Sequence, residues 1–199
     1  MSVHASTPIA AVSDGDDRIL ASALELFAEI GISRASTNDI ARAAGINRAT
    51  LYRRLGTKDD IVRAALYREV TLSLAELGAK LDLITDLSEW VQTAFASTVI
   101  AIRTNRIITK ALLVDHPGET LPALTTAAGE MLDLATVFVG ARILNLHPGH
   151  PNAYELAAMM VRVVQSLALT PDAEPRLITE QQIRDFALRQ FVPLMLSHH

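Results

Sequence analysis

The chain has 199 residues, half of them hydrophobic, with a formal net charge of −4 and no cysteine. That length holds one sizeable core or two smaller ones. The missing cysteines exclude disulfides, thiolate catalysis and cysteine zinc sites, and the overall charge excludes a uniformly polybasic nucleic-acid binder. No run reaches ~18 uninterrupted apolar residues, so no membrane span is expected. The apolar stretch from Ile9 to Val12 is too short for a signal-peptide core, and a cytoplasmic protein is the expectation.

Strand signals are nearly absent, while helical spacing recurs along the chain. Breaks at Gly31, Gly45, Gly56, Pro117-Gly118, His147–Pro151 and Thr170–Pro175 divide it into about nine helices. Residues 1–13 read as a loose tail, and His198 and His199 end the chain. The first helix runs from about Asp14 to Ile30, with Leu20, Ala23, Leu24, Phe27 and Ala28 as its apolar stripe. Asp14, Asp16 and Asp17 sit where the helix dipole favours negative charge, and Gly31 sits where a left-handed cap belongs.

Two short helices follow. Thr37 is the expected N-cap of TNDIARAA, which Gly45 ends; Ile46-Asn47 then leads into RATLYRRL, which stops at Gly56. Ile40, Ala44, Ile46, Leu51 and Leu55 are their apolar positions, and the first helix is their natural support. Thr57 with Asp60 opens a long helix to about Leu81. Beyond it, helices are expected over roughly 85–102, 104–115, 120–146, 152–169 and 179–196, the last opened by Thr179 with Gln182 and ended or kinked by Pro193.

Charge is concentrated at one end. Ser33 to Lys58 carries Arg34, Arg42, Arg48, Arg53, Arg54 and Lys58 against the single acid Asp39, a net of +5, whereas residues 71–199 carry nine basic and thirteen acidic residues. Duplex DNA rewards such a patch through counterion release. Helix, glycine turn, helix is also the unit whose second helix enters the major groove. On that helix Leu51 and Leu55 point to the core, while Asn47, Arg48, Ala49, Thr50, Tyr52 and Arg53 face outward. Arg48 suits guanine and Asn47 suits adenine. Tyr52 suits a phosphate and a thymine methyl, and Thr37 and Lys58 sit at helix starts suited to phosphate. Arg34 completes the candidate DNA-binding set.

The run GISRASTNDIARAAGINRATLYRRLGTKDDIVRAAL, with the ALELFAEIG helix before it, resembles the DNA-binding segment of TetR-family transcriptional regulators over about residues 15–70. The resemblance implies an all-α homodimer with a small DNA-binding domain, a larger effector-binding domain, and a dimer interface built from the last two helices. It also implies a repressor released by ligand. Arg53-Arg54 departs from the family, which more often has histidine and an inward-packing aromatic there; Arg54 is expected to snorkel or to add a phosphate contact.

The expected organisation is a tail at 1–13, a DNA-binding domain at 14–60, and an effector-binding and dimerisation domain at 61–199. Trp90, Phe95, Ile102, Met131, Phe138 and Met159 are candidate lining for an apolar effector pocket, with Arg103 and His116 as candidate polar groups; each reads equally as ordinary core, surface ion pair or loop. Leu156, Met160, Val163, Val164 and Leu167, followed by Ile183, Phe186, Ala187 and Leu194, form two stripes suited to a dimer face or to internal packing. His147 and His150 have H-x-x-H spacing, but no third ligand completes a metal site. No nucleophile elbow, zinc-protease motif or phosphate loop is present, so neither an enzyme nor a cofactor is expected.

Overall fold

A computed structural model of the chain describes residues 14–113, 115, 117–125 and 127–196. The expected tail, His116, His198 and His199 lie outside the described residues. Regular structure among the described residues is entirely helical, in eleven segments: α1 (Asp14–Ile30), α2 (Thr37–Ala43), α3 (Arg48–Leu55), α4 (Lys58–Leu81), α5 (Leu87–Thr104), α6 (Arg106–Leu113), α7 (Pro117–Leu124), α8 (Gly129–Leu146), α9 (Ala153–Leu169), α10 (Glu180–Gln190) and α11 (Val192–Leu196).

Two expected helices divide. The segment read as 120–146 is α7 followed by α8. Pro122 lies inside α7, and its carbonyl accepts from Thr125 N at 3.3 Å and Ala127 N at 2.8 Å, which turns the chain out of the helix. The segment read as 179–196 breaks at Phe191, two residues before Pro193, and α11 carries that proline near its start. The Thr179–Gln182 capping box is formed.

α1, α2, α3 and the first half of α4 enclose one core. Leu20 and Phe27 of α1 meet Ile40 of α2, Leu51 of α3 and Ile61 of α4, all essentially without solvent exposure. Ile107 and Ala111 of α6 join the same core. A second core takes the far end of α4 with α5 and α8 to α11, and Phe95 sits at its centre against the rings of Phe186 and Phe191 at 5.8 and 5.4 Å. α4 therefore feeds both cores, through Ile61, Val62, Ala65 and Leu66 at one end and Leu77 and Leu81 at the other. Arg142 of α8 holds the end of α4, donating to the carbonyls of Leu81, Asp82 and Ile84.

The stripes read as a dimer face are mostly turned inward. Met160, Val164, Leu167, Ile183 and Ala187 are buried in the second core, and Leu156, Val163 and Phe186 pack against it. α9 is covered by α8 and α5, and α10 by α5, so these faces are satisfied within one chain. Leu194 is 44% exposed, and Leu188 and Met159 are exposed as well.

Candidate nucleic-acid interface

The turn between α2 and α3 explains why α3 projects. Ser36, not Thr37, is the N-cap of α2: its hydroxyl accepts from Asp39 N at 3.1 Å, and the Asp39 carboxylate accepts from Ser36 N at 3.2 Å. At the other end Gly45, at φ 68°, donates to Arg42 O at 3.1 Å while Ile46 N donates to Ala41 O at 2.9 Å. This is the paired closure that a left-handed glycine permits. Asn47 then caps α3, with its Oδ1 accepting from Thr50 N at 2.8 Å. Leu51 anchors α3 from below, fully buried, and leaves Arg48, Ala49, Tyr52 and Arg53 exposed.

The outward face is ordered by its own contacts. The Arg48 guanidinium lies 5.1 Å from the centre of the Tyr52 ring, and its Nη2 donates to the Tyr52 hydroxyl at 3.2 Å. That hydroxyl lies 3.3 Å from Thr37 Oγ1. The contacts with Thr37 and then Arg48 hold the Tyr52 phenol below its ordinary value of 10.0. Thr37, nearly buried, thus fixes Tyr52 from α2. Asn47 has its carbonyl engaged at the cap, so its amide N–H alone is free for a base edge, whereas bidentate pairing with adenine needs both.

The charge of the segment is partly spent. Arg42 pairs with Asp39 one turn away. Arg54 neither snorkels nor reaches out: its Nε donates to Asp16 at 2.6 Å and ties the end of α3 to the start of α1. Lys58 donates to Ser33 O at 2.9 Å, which joins the start of α4 to the loop after α1. Arg34 and Arg53 are exposed, with no ion pair among the described residues. Arg34, Arg48 and Arg53 therefore form the outward positive set, with Thr50 half-buried behind them.

A second feature lies in the body. A cavity of about 330 Å³ is bounded by α4, α5, α8 and α9 and closed by Ile108 of α6 and Leu124 of α7. Ile102 and Met131 line it. Trp90 and Phe95 do not, because both are fully buried in the second core. Phe138 turns toward Trp90, with ring centres 6.4 Å apart, and lines a shallow groove against Gly78 of α4. Met159 is 53% exposed on the outer face of α9. Arg103 donates to the carbonyls of Leu167 and Leu177, so it fastens the α9–α10 connection rather than facing the cavity. Sequence reasoning missed Met160 and Val164 as lining residues, since their helical spacing cannot tell a cavity from a core. It also missed Ser97, Asn105 and Gln165, whose polarity gives no spacing signal.

An anchored second helix after a glycine turn, with a cationic outer face, is the geometry of a helix-turn-helix unit. Residues 19–65 match the family described as bacterial regulatory proteins, tetR family. An uncharacterised HTH-type transcriptional regulator of Mycobacterium tuberculosis is 29% identical over 159 residues, covering 78% of this chain and 75% of that protein. The fold is similar to the TetR-family repressor AlkX from a Dietzia species, implicated in biodegradation of n-alkanes, with TM-score 0.69, 17% identity and coverage of 88% and 94%. It is also similar to a TetR-family regulator from Mesorhizobium loti, with TM-score 0.65, 14% identity and coverage of 90% and 96%. Residues 19–65 are thus similar to the helix-turn-helix segment of TetR-family transcriptional regulators, and the fold as a whole is similar to solved members of that family. No helix among the described residues is long and apolar enough to cross a membrane.

Proposed function

We propose that the protein is a homodimeric repressor that occupies a roughly palindromic operator and leaves it when an apolar small molecule fills the cavity. The carrying observation is that α4 starts beside the reader, at Lys58, and forms a wall of the cavity further along, at Val70, Leu74 and Leu77. A ligand that shifts this wall moves the start of the same helix. Residues 14–60 then read DNA, and the remainder of the chain senses ligand and dimerises.

In this reading Arg48 contacts guanine, Asn47 offers one amide donor to a base, and Ala49 and Thr50 meet apolar or phosphate groups. Arg34, Thr37, Arg53 and Lys58 set the position on the backbone, and Tyr52 serves both tasks. One short helix reads few base pairs, so two subunits are needed, with recognition helices about 34 Å apart in successive major grooves. The exposed Met159, Leu188 and Leu194 support an apolar dimer face on α9 to α11. Gel shifts over a salt series, using sites selected from random duplexes, test the proposal. A symmetric, salt-sensitive preference supports it; binding without sequence preference overturns it.

A further inference from the structure

The cavity wall is chemically one-sided. Most of it is aliphatic, and its charged groups are the carboxylates of Glu69 and Glu76 against the single ammonium of Lys80. Gln165 gives one amide N–H to Leu124 O at 2.9 Å, and its Oε1 has no partner among the described residues. Glu69 receives the Asn105 amide on Oε1 at 3.1 Å, which leaves Oε2 open. Asn105 uses its own carbonyl for the N–H groups of Ile107 and Ile108. The Ser97 hydroxyl makes no hydrogen bond among the described residues. The one cation on the lining is Lys80, exposed on α4. The nearby arginines are committed elsewhere, Arg103 to carbonyls of the α9–α10 connection and Arg142 to the end of α4.

We infer that the cavity takes an apolar molecule bearing one hydrogen-bond-donating head, a hydroxyl or an amine, and discriminates against carboxylates. This rests on the effector reading above and names the chemical class of that effector. A donor head satisfies Gln165 Oε1 or Glu69 Oε2. A carboxylate head beside Glu69 would meet like charge, and the single lining cation, Lys80, is exposed on α4, so a carboxylate carried into the aliphatic part is disfavoured. Aliphatic contacts bind the tail, and the single head sets orientation.

Calorimetry at pH 7 on the full chain with 1-octanol, octylamine, octanoate and octane tests the inference. The expected result is that octanol or octylamine binds at least roughly tenfold more tightly than octanoate and than octane, about the worth of one good hydrogen bond. The tighter of the two identifies the head. Octanoate binding as tightly as both donors, or octane as tightly as octanol, overturns it, and so does the absence of binding by all four. Gln165→Leu, which gives up the bond to Leu124 O, should reduce the donor advantage over octane. Glu69→Leu, which gives up the bond from Asn105, removes the other acceptor, with circular dichroism checking the fold of both variants; an unchanged advantage in folded Gln165→Leu and in folded Glu69→Leu overturns the inference. Operator release is read in the same samples. A donor ligand that binds without releasing DNA contradicts the repressor reading and leaves the head-group inference standing. Octanoate that binds best and releases DNA does the reverse.

Discussion

Asp115 holds the end of α1 from 83 residues further along the chain: its Oδ2 accepts from Ile32 N at 2.8 Å, and its Oδ1 accepts from the Ser33 hydroxyl at 2.8 Å. Lys110 adds a bond from its Nζ to Glu29 O at 2.6 Å. The helix that supports the DNA reader is thus finished by the body, through α6 and the residues after it. Gly31, at φ 91°, makes this approach feasible, since a Cβ there would lie 2.2 Å from Asp115 Oδ1.

Asp115→Ala should lower unfolding free energy by about 1–3 kcal/mol, because the buried Ile32 N–H loses its acceptor. Asp115→Asn retains an acceptor and should lose less. Gly31→Ala should cost at least about 1 kcal/mol, combining the positive φ with the close approach. Urea unfolding measures all three; wild-type stability in Asp115→Ala would show that the clasp contributes nothing.

The two adjacent arginines should behave differently on DNA. Arg53 is exposed and unpaired among the described residues, so Arg53→Ala should weaken binding to all sequences and reduce the salt slope by about 1. Arg54 faces Asp16, so Arg54→Ala should leave the slope unchanged. Its ion pair is partly exposed, and its loss should cost no more than about 1 kcal/mol. Fluorescence anisotropy across a salt series separates the two.

Thr37→Val preserves shape and removes the hydroxyl beside Tyr52. The largest influence holding the Tyr52 phenol low is then gone, so its titration should move up toward the ordinary tyrosine value. NMR of tyrosine ring carbons follows this directly. Operator affinity should fall by roughly tenfold if the Thr37–Tyr52 contact orders the reading face.

Acid should loosen the reader. Ser36 holds the Asp39 carboxyl below its ordinary value, Thr57 does the same for Asp60, and Arg68 does so for Asp17. A carboxyl whose folded value is depressed contributes stability above its unfolded value, near 3.8, and loses it as pH falls through the folded one. The stability difference between wild type and Asp60→Asn should therefore be full at pH 7 and shrink below about pH 4. Thermal unfolding over that range checks it; a difference constant with pH would contradict it.

Much of this was legible in the sequence because the reader is built from short-range rules. Gly31, Gly45 and Gly56 punctuate α1, α2 and α3, Thr57 caps α4, and the outward face of α3 follows from where Leu51 and Leu55 point. The misplaced cap at Thr37 reflects a local ambiguity, since Ser36 and Thr37 are both capping residues and Asp39 stands three positions from Ser36. The body resisted for a different reason. Apolar spacing says that a face is buried, not what covers it, so Met160 and Val164 were legible as a stripe but not as a cavity wall. Trp90 and Phe95 were drawn toward a pocket by their size and proved to be core. Arg103 and Asp115 act over 64 or more residues of separation, which no local pattern encodes.

The central claim, that the outward face of α3 reads DNA, is tested most directly by operator binding of the Arg48→Ala/Tyr52→Ala double variant. Both side chains are exposed and Leu51 is untouched, so fold and oligomeric state should persist, checked by circular dichroism and sedimentation. The account predicts that preference for a selected operator over random duplex disappears in the folded variant. Operator preference equal to wild type would contradict it.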